Sequence, residues 1–499
     1  MALDWSTFTN TIAGKPHTTP QTRFSVNPST GGPNPPVPLA SKEDLDLAVS
    51  AARNAFKGWA ATPWQERKTA LLAFGKAVTD EVEGFSKMLV KEQGKPLVFA
   101  ADEVRSVQRH IQAICTIELQ DEVIQRTDER TVVKRYVPIG VGGLIIPWNF
   151  PVFLMAVKIL HAVLTGNTVI CKPSPFTPYT GLKLVELAQR FFPPGVINAL
   201  SGGDDLGPWM TSHPGIDKIS FTGSSATGRK VMESCSRTLK KVTLELGGKD
   251  PAIILPDVDI PTVASQIAFY SFLNSGQICI ATKRVYVHSS IAERFISALV
   301  EATKRLKVGD GMEGGVFMGP VQNRMQYEKI IGFLDDIRQG GGQVVVGHGV
   351  DGDLVSACKG VAQGGDGFFV QPTIVVDPGD DSRIMKEEPF GPLLPVATWT
   401  TEEDVVSRAN NTDMGLGASV WGKDIEAAGR IARQLEAGNV WVNEHLASLP
   451  TTPFGGWKGS GIGVENGREG LAGWCNIQSL YTRREVGLFL AEYICSGDV

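Results

Sequence analysis

The chain has 499 residues, too many for one hydrophobic core, so its length predicts two or three domains. Hydrophobic residues make up 42% and charged residues 20%, a composition that excludes disordered and collagenous proteins. The formal net charge of -5, with Lys and Arg scattered along the chain, argues against nucleic acid and anionic membranes as partners and favours a small-molecule ligand.

The N-terminal part predicts an α-helical entry. Apolar residues recur at three- and four-residue spacing over Ser41–Phe56 and over Trp64–Gln93, a pattern typical of amphipathic helices. Thr62-Pro63 separates the two predicted helices and Gly94 ends the second, because proline and glycine interrupt or terminate helices.

From the segment RTVVKRYVPIG onward, short β-branched runs alternate with helical patterns. The first group of runs is GLII, NTVICK, VINAL, DKISF, VTLEL and AIIL, and the second is RVYVH, QVVVG, TIVV and SVWG. Two helical patterns, ERFISALVEATKRL and MQYEKIIGFLDDIRQ, lie within the second group. This alternation predicts βαβ units with a parallel sheet, and its recurrence predicts a second α/β domain.

Three segments fall outside this alternation. The Gly-rich stretch from Gly340 to Gly367 is interpreted as a solvated loop. The segments DERTVVKRYVP and SLYTRREVGLFLAEYI carry alternating charges and have strand or helix potential. They are candidate arms that pair with another subunit.

Targeting and redox features predict a cytoplasmic protein. The first residues lack a secretion signal, and the final SGDV matches no peroxisomal or endoplasmic-reticulum address. The apolar stretch from Val141 to Cys171 is interrupted by prolines and by Lys158, so it predicts a buried segment and no membrane span. The cysteines are odd in number, without a CxxC pair or metal-ligand spacing, which favours a reducing compartment and predicts no metal site; they are Cys115, Cys171, Cys235, Cys279, Cys358, Cys475 and Cys495.

The run IDKISFTGSSATGRK places Gly223 at the end of a predicted strand and before a helix. Free N–H groups and the positive end of the helix dipole at such a turn can hold a pyrophosphate. The spacing is GxxxxG and differs from the dinucleotide fingerprint GxGxxG. Tight turning between strand and helix therefore explains these glycines about as well as ligand binding does.

Two polar residues lie in apolar segments. Glu245 ends the strand KVTLEL and is followed by Gly247-Gly248. Burial should raise the pKa of its carboxyl group, which suits a general base, although a salt-bridged Glu at a strand end fits the same pattern. Asn149 lies between prolines in IIPWNFP, where an unpaired amide is costly, so its side chain is a candidate donor to an oxyanion.

Cys279 follows a Ser-Gly turn in NSGQICIAT, among small and apolar residues. These neighbours are compatible both with a nucleophile and with an inert buried thiol, since small apolar surroundings occur around either kind of cysteine. Local composition alone leaves the two interpretations open.

Nine motifs in one order, covering nearly the whole chain, resemble those of the aldehyde dehydrogenase superfamily; they are PWNFP, CKPSPFTP, FTGSSATG, LELGGK, SGQICIA, EEPFGP, GLGASVW, GNVWVN and PFGGWKGSG. The resemblance implies an α/β fold with a doubly wound, Rossmann-like cofactor-binding domain, an α/β catalytic domain and a small β oligomerisation element. The expected ranges are 1–120, 137–246 and 446–473 for the first, 247–445 for the second, and 121–136 and 474–499 for the third. A homodimer or homotetramer is also implied.

The resemblance assigns catalytic roles to three residues. Cys279 matches the nucleophile, Asn149 with the backbone N–H of Cys279 matches the oxyanion-binding pair, and Glu245 matches the base that activates water for thioester hydrolysis. The other six cysteines match no catalytic motif. A cysteine hydrolase would instead need a base such as His288 in YVHSS, for which the sequence offers no orienting partner.

The resemblance further implies NAD or NADP as cofactor. The matched positions are Trp148 and Lys172 on the adenosine side, Gly223 and Ser224 at the pyrophosphate, Glu388 and Phe390 at the nicotinamide ribose, and Ile146, Ser174, Pro175 and Leu246 around them. Taken alone, Lys172 could be any surface lysine, and Glu387 could replace Glu388. Many NAD-preferring relatives carry a Glu at the position of Pro175; since that carboxylate would repel a 2′-phosphate, its absence leaves NADP admissible, and Ser174 could bind the phosphate.

The predicted substrate tunnel is apolar and contains no Arg or Lys; by their places beside the matched motifs, its residues are Phe150, Phe153, Leu154, Val157, Ile278, Ile280 and Phe454. A second carboxylate on the substrate would find no cation there, so the sequence favours apolar aliphatic or aromatic aldehydes. Val157 stands where many relatives have a bulky aromatic residue, which predicts a roomy tunnel. Ordinary core packing is the alternative, above all for Phe153 and Leu154.

The sequence thus predicts an oxidoreductase that converts such an aldehyde to the carboxylic acid through a cysteine thiohemiacetal and a thioester, with hydride transfer to NAD(P). One alternative is a CoA-acylating semialdehyde dehydrogenase, which Glu245 disfavours because thiolysis needs no such base. The other is a catalytically silent structural protein on the same scaffold. The intact set of Cys279, Glu245 and Asn149 disfavours it.

Overall fold

The computed structural model describes residues 3–340, 342–347 and 367–484. Its α-helices, numbered α1 to α15 in chain order, are Lys42–Ala61, Trp64–Asp80, Val82–Gln93, Leu97–Ile114, Pro151–Leu164, Tyr179–Ala188, Leu206–Ser212, Ser225–Ser236, Ile260–Phe272, Ala292–Lys304, Arg324–Gln339, Arg383–Lys386, Glu402–Asn410, Ile425–Ala432 and Gly467–Ala472. Two short 3-10 helices span Leu273–Gly276 and Ser289–Ile291.

The strands, numbered β1 to β22 in chain order, are Asn10–Ile12, Lys15–His17, Thr22–Arg23, Val37–Pro38, Glu122–Arg126, Arg130–Pro138, Val141–Ile145, Thr168–Lys172, Ile197–Ala199, Lys218–Thr222, Lys241–Glu245, Pro251–Ile254, Arg284–His288, Gln343–Val346, Thr373–Val376, Leu393–Trp399, Met414–Gly415, Gly417–Trp421, Asn439–Val442, Trp457–Lys458, Gly461–Ile462 and Cys475–Arg483. They form two large sheets and one small sheet, together with two two-stranded ladders.

The first large sheet has eight strands in the order β2-β1-β9-β8-β7-β10-β11-β21. The five strands from β9 to β11 are parallel, and β1, β2 and β21 add antiparallel edges. Successive residues of β8 face different cores, since Val169 packs with helices α2 to α6 and Ile170 packs with α1, α7 and α8. Helices therefore cover both faces, as in a doubly wound sheet.

The second large sheet has seven strands in the order β14-β15-β16-β13-β12-β18-β19, all parallel except β14. On one face Val285 and Val287 pack with helices α9 and α10. On the other face Tyr286 packs with the helices Glu402–Asn410 and Ile425–Ala432. The predicted α/β fold class, with a second α/β unit, is confirmed.

A three-stranded antiparallel sheet, β22-β6-β5, joins the two predicted arms to each other. β22 pairs with β6 from Cys475 opposite Pro138 to Arg483 opposite Arg130. The sheet exposes a group of large apolar side chains, which are Val123, Ile124, Ile477, Leu480 and Tyr481. The second arm beyond residue 484, and residues 348–366 of the Gly-rich stretch, lie outside the described residues.

The division into three domains stays a prediction. The sheets take their strands from the three predicted sets of ranges, except that β6 continues to Pro138. In addition, a short ladder joins Met414–Gly415 to Trp457–Lys458, so the predicted cofactor-binding and catalytic ranges share backbone hydrogen bonds.

Several elements differ from expectation, and two of these differences have a local cause. The predicted helix over Trp64–Gln93 is two helices, α2 and α3, because the chain leaves helical geometry at Glu81 (φ -97, ψ 17). Strand β16 was not predicted, since Pro395 lies within it and proline usually marks strand edges or turns. Gly94 ends α3 in the left-handed conformation, with φ 94, as expected. Among the described residues, no helix has the length and apolar character needed to cross a membrane.

Candidate functional site

The loop that carries Cys279 begins with three consecutive residues in the left-handed region. Asn274, Ser275 and Gly276 have φ values of 52, 58 and 70. A side chain at Gly276 would collide with the backbone carbonyl of Gly391. Non-glycine residues adopt this conformation only where surrounding contacts hold them, so the backbone ahead of Cys279 is tightly specified.

Side-chain hydrogen bonds supply those contacts. Asn274 Nδ2 donates to the carbonyl of Asn149 at 3.3 Å, and Ser275 Oγ donates to the carbonyl of Gly319 at 2.8 Å. Gln277 Nε2 donates to the carbonyl of Asn274 at 2.9 Å, while its Oε1 accepts from the amide of Gln322 at 2.9 Å. The loop of Cys279 is thereby hydrogen-bonded to its neighbours on both sides.

Asn149 lies within this network. Its Nδ2 donates to the carbonyl of Gln277 at 3.0 Å, which leaves the second N–H of the amide available, and its Oδ1 has no hydrogen-bond partner among the described residues. The Asn149 carbonyl accepts from Lys95 Nζ at 2.9 Å, and Lys95 forms a buried ion pair with Glu103. The buried amide of Asn149 is therefore paired at one N–H, and its role as an oxyanion donor stays a prediction.

The thiol of Cys279 is partly exposed in a mainly apolar environment. Burial raises the pKa of the thiol to about 12, and the charges of Glu388, Asp250 and Glu245 act in the same direction, whereas Lys283 opposes them. The backbone N–H of Cys279 donates to no other described residue. The resting group is thus a neutral thiol, with a free amide beside it.

Glu245 ends β11, with both carboxyl oxygens buried and without a hydrogen bond from any described residue. Burial raises the pKa of this carboxyl group well above its usual value, and the charge of Glu465 raises it further, while Lys158 opposes the shift. The expected direction of the pKa shift is confirmed. Glu465 itself pairs with Lys158 and accepts from Ser220 Oγ at 3.0 Å.

Two glycines bring the end of β11 against Cys279. A Cβ at Gly248 would lie 2.6 Å from the carbonyl oxygen of Cys279, and a Cβ at Gly247 would overlap the carboxylate of Glu388. The segment after Glu245 therefore passes directly beside the nucleophile loop. Close approach of backbone to backbone is the usual reason for glycine at such positions.

His288 lies outside this group. Arg284 is the first residue of β13 and His288 is the last, which places the two roughly 13 Å apart at the rise of a β-strand. Cys279 lies before the start of this strand. Its Nδ1 lies 2.8 Å from Ser290 Oγ, and its ring packs edge-on against Trp399. Among the described residues no contact joins His288 to Cys279, so the structure gives no support to His288 as the base of a cysteine hydrolase.

The turn between β10 and α8 offers backbone donors to an anion. Ser224 caps α8 by accepting from the amide of Thr227 at 3.2 Å. The amides of Ser225 and Ala226 donate to no other described residue, and the buried Oγ1 of Thr222 has no partner within the described ranges. These groups fit a pyrophosphate at the N-terminus of a helix.

Backbone hydrogen bonds of Gly223 and Leu246 hold this turn in place. The amide of Gly223 donates to the carbonyl of Glu245 at 3.1 Å, and the amide of Leu246 donates to the carbonyl of Ser460 at 2.9 Å. Leu246 packs against the backbone of Gly228, where a Cβ would lie 2.6 Å from its side chain.

Lys172, which ends β8, is a buried residue and not a surface lysine; its exposed fraction is 6%. Burial lowers the pKa of its ammonium group to about 8, and the positive charge of Arg23 lowers it further, against the effect of Asp204. Arg23 was not predicted as a site residue. It lies in β3, far from every matched motif, and nothing near it in the sequence marks it.

The remaining adenosine-side candidates lie around Lys172. The amide of Ile146 donates to the Lys172 carbonyl at 3.1 Å. Ser174 Oγ accepts from the amide of Phe176 at 3.2 Å, and Pro175 is half-buried beside it. These residues lie at or just beyond the carboxyl ends of β7 and β8, where doubly wound sheets bind ligands.

Trp148 lies edge-on to Phe390, with ring centroids 5.2 Å apart. It therefore contacts the predicted nicotinamide side. Glu388 is held nearby by Lys283, whose Nζ lies 2.9 Å from Oε1, and by the amide of Gly248 at 3.2 Å. Its Oε2 is left free to bind a ligand. The carboxylate of Glu387 instead pairs with Arg383 at 3.0 Å, which favours Glu388 over Glu387 as the residue at the nicotinamide ribose.

The structure brings four of the seven predicted substrate residues together around Cys279: Phe150, Ile278, Ile280 and Phe454. Phe153 and Leu154 pack instead against the core of the first sheet, and Val157 is buried in α5. The apolar cluster around Cys279 also contains residues that were not predicted, which are Leu273, Ala281, Leu416, Trp441, Leu446 and Ala447. Leu416 and Trp441 lie in the quoted motifs GLGASVW and GNVWVN, which could have revealed them.

One cation does contact the apolar set. Lys95 Nζ lies 3.8 Å from the ring centroid of Phe150. Because the ion pair with Glu103 neutralises it, Lys95 offers no free charge to a substrate. Throughout the described ranges, no cluster of three or more His, Cys, Asp or Glu side chains is arranged to hold a metal ion.

Known proteins match this chain over nearly its whole length. The model of the aldehyde dehydrogenase family matches residues 16–480. Aldehyde dehydrogenase LUC3 of a Fusarium species is 40% identical over 479 residues, which are 96% of this chain and 99% of that protein. The chloroplastic betaine aldehyde dehydrogenase of Atriplex hortensis is 38% identical over 471 residues, which are 91% of this chain and 92% of that protein.

Solved structures give the same result. Betaine aldehyde dehydrogenase from Staphylococcus aureus in complex with NAD+ has a TM-score of 0.90 and 30% identity, with 96% of this chain and 95% of that chain covered. An E. coli NADP dependent enzyme has a TM-score of 0.90 and 32% identity, with 96% and 98% covered. The chain therefore belongs to the aldehyde dehydrogenase family and is an NAD(P)-dependent aldehyde dehydrogenase.

Proposed function

We propose that this enzyme oxidises apolar aliphatic or aromatic aldehydes to carboxylic acids, with Cys279 as nucleophile, Asn149 as oxyanion donor and Glu245 as general base. One observation carries the proposal. The loop of Cys279 is bound through Gln277 to the amide of Asn149, and the segment that follows Glu245 passes within contact distance of the Cys279 carbonyl.

The first step is attack of the Cys279 thiolate on the aldehyde carbon. The carbon–sulfur bond forms as the carbonyl π electrons move to oxygen. The resulting oxyanion accepts hydrogen bonds from the second N–H of Asn149 and from the free backbone N–H of Cys279. Donors that are already oriented in a water-poor site stabilise such charge strongly.

Bound NAD or NADP supplies the hydride acceptor. Once the hydride has left the thiohemiacetal, a thioester on Cys279 remains. The carboxylate of Glu245, when ionised, removes a proton from water, which then adds to the thioester carbon and releases the acid and the thiol. The two halves of the reaction thus depend on different residues.

The lining of the site supports an apolar substrate. Phe150, Ile278, Ile280 and Phe454 surround the nucleophile, and two cations near them, Lys95 and Lys283, are already paired with Glu103 and Glu388. A charged or strongly polar chain would lose its hydration there without gaining a partner. Betaine aldehyde and aminoaldehydes, which the names of several relatives specify, form the competing substrate class.

A panel of aldehydes tests the proposal directly. Steady-state kcat/KM is measured for linear aliphatic, aromatic, betaine and amino aldehydes, with NAD or NADP and with CoA present or absent. We expect the aliphatic or aromatic set to lead and the carboxylic acid to be the product in every case. Preference for betaine aldehyde would overturn the substrate class, and acyl-CoA formation would establish the CoA-acylating alternative.

Asn149→Ala is expected to lower kcat by about 10²–10³, the loss typical of removing one oxyanion donor. Asn149→Asp keeps the size of the side chain but places an anion beside the oxyanion, so it should be slower than the Ala variant. Rates of hydride transfer, measured by rapid mixing, check both. Equal rates in the parent and the Ala variant would remove Asn149 from the mechanism.

Pro175→Glu is expected to shift cofactor preference toward NAD. A carboxylate there would accept hydrogen bonds from the ribose hydroxyls of NAD and repel the 2′-phosphate of NADP. Like unit charges about 4 Å apart interact by roughly 4 kcal/mol at a surface-like dielectric, so even a quarter of that changes the ratio about fivefold.

The measurement is the NADP/NAD ratio of kcat/KM in the parent and the variant at fixed ionic strength. Pro175→Gln is the matched control, since a glutamine has nearly the same shape as a glutamate but carries no charge. This variant should leave the ratio near that of the parent. If Glu and Gln give the same ratio, residue 175 does not face the ribose.

We further propose that the enzyme is a homodimer or homotetramer in the cytoplasm. The apolar side chains exposed on the β22-β6-β5 sheet support association between copies. Five cysteines in the described residues are unpaired, which supports a reducing compartment. Light scattering of the purified protein and localisation of a fluorescent fusion test the two statements.

A further inference from the structure

Lys283 follows the nucleophile by four residues, and its side chain is only 3% exposed. Its Nζ donates to the carbonyl of Cys279 at 2.5 Å and lies 2.9 Å from Oε1 of Glu388. A single buried ammonium group thus joins the backbone of Cys279 to Glu388.

Both ends of this bridge are held. The amides of Lys283 and Arg284 donate to the carbonyl of Asp250 at 3.0 and 3.1 Å, which fixes the start of β13. Oε1 of Glu388 also accepts from the amide of Gly248 at 3.2 Å, and the Glu388 carbonyl accepts from Lys329 Nζ at 2.8 Å. Because Oε1 is occupied, Glu388 presents Oε2 as its free oxygen.

The charges around the bridge show why the ammonium matters. Cys279 faces three acidic groups, Glu388, Asp250 and Glu245, and Lys283 is the cation that counters them at the sulfur. Further cations lie in the same region, since burial and the charges of Arg284, Lys283 and Lys329 all lower the pKa of Lys249. Without Lys283, a thiolate at Cys279 would form among carboxylates with no compensating charge beside it.

We propose that Lys283 is a positioning residue that holds Cys279 and Glu388 in fixed relation through one ammonium group, and that its charge assists formation of the Cys279 thiolate. The inference rests on the proposed roles of Cys279 and Glu388. It adds that nucleophile acidity and cofactor binding depend on the same side chain, so one substitution alters both.

The test uses the cofactor-free enzyme, so that it does not depend on turnover. Alkylation of Cys279 by iodoacetamide is followed against pH in the parent, Lys283→Gln and Lys283→Arg, with Cys279→Ser as the background. The Gln variant keeps a hydrogen-bond donor but loses the charge. We expect its alkylation profile to move upward by about one pH unit, which is roughly tenfold slower reaction at a fixed pH below the midpoint.

Lys283→Arg should restore most of the alkylation rate, because it keeps the charge. Glu388→Gln should move the profile in the opposite direction, since it removes an anion that faces the thiol. NAD affinity, measured by fluorescence titration, should fall several-fold in Lys283→Gln because Glu388 loses its anchor.

The outcomes distinguish a failure of the role proposed for Lys283 from a failure of the proposed function. A folded Lys283→Gln with the parent's alkylation profile and NAD affinity overturns the role of Lys283. If Lys283→Gln does not fold, Glu388→Gln decides, and an unchanged profile there overturns the electrostatic link. A parent enzyme that oxidises no aldehyde contradicts the proposed function, whatever the alkylation profiles show.

Discussion

Cys279→Ala is expected to lower kcat/KM for aldehyde oxidation by at least about 10⁴-fold, the order of loss found when a catalytic nucleophile is removed. Without the sulfur, neither the thiohemiacetal nor the thioester forms, and the oxyanion donors have no intermediate to stabilise. The other described cysteines are buried and cannot substitute. NAD affinity should stay near that of the parent, because the thiol does not hold the dinucleotide.

The measurements are initial rates of NADH formation and NAD binding by fluorescence titration. Cys115→Ala is the matched control: Cys115 is also a free cysteine, but it is buried after α4 in the core of the first sheet, so this variant should retain turnover. Comparable turnover in Cys279→Ala would remove the covalent mechanism altogether.

Glu245→Gln is expected to slow steady-state turnover by about 10²–10⁴-fold, the range attributed to a general base. Hydride transfer precedes the step that needs this base, so the first turnover should remain close to the parent's rate. Pre-steady-state mixing should therefore show a burst of NADH that approaches one equivalent per active site, followed by slow release of the acid.

The pH profile gives a second sign of the same role. Because the pKa of Glu245 is raised by burial and by Glu465, its carboxylate form is gained only as the pH rises through that shifted value. Thioester hydrolysis should accordingly increase with pH in the parent, and this rising limb should disappear in Glu245→Gln.

Glu92→Gln separates a specific effect from a general one. Glu92 is also buried, with its pKa raised to about 8 by burial, but its carboxylate accepts from the amides of Tyr179 and Thr180, away from Cys279. We expect normal turnover from this variant.

If the burst vanishes together with turnover in Glu245→Gln, then Glu245 acts before hydride transfer, for example on the thiol of Cys279.

Local composition drew attention to Asn149, Glu245 and Cys279, but their catalytic roles were proposed from the resemblance of nine ordered motifs to one family. Asn149 stands between prolines, Glu245 ends an apolar strand and Cys279 follows a turn. The fold class was accessible for a similar reason, since β-branched runs and helical patterns alternate visibly along the chain. Local composition was sufficient for the fold class, whereas it left the role of Cys279 open.

Other parts of the site depend on distant contacts. Lys283 is buried because Glu388, on another segment, meets it, and nothing near Lys283 in the sequence distinguishes it from a surface lysine. Arg23 reaches Lys172 from a strand before the first helix. Phe153 and Leu154 adjoin a matched motif but pack against the core of the first sheet, whose contacts come from distant helices.

Strand β21 has a consequence for how the protein is made. It pairs Ile462 with Leu244 at the edge of the first sheet, although the whole second sheet lies between these residues in the chain. During synthesis N-terminal segments emerge first, so β11 keeps an open edge until the ribosome has delivered Gly461. The same late segment carries Glu465, which faces Glu245. In a nascent chain, the surroundings of the proposed base Glu245 are therefore completed only after the whole second sheet has been synthesised.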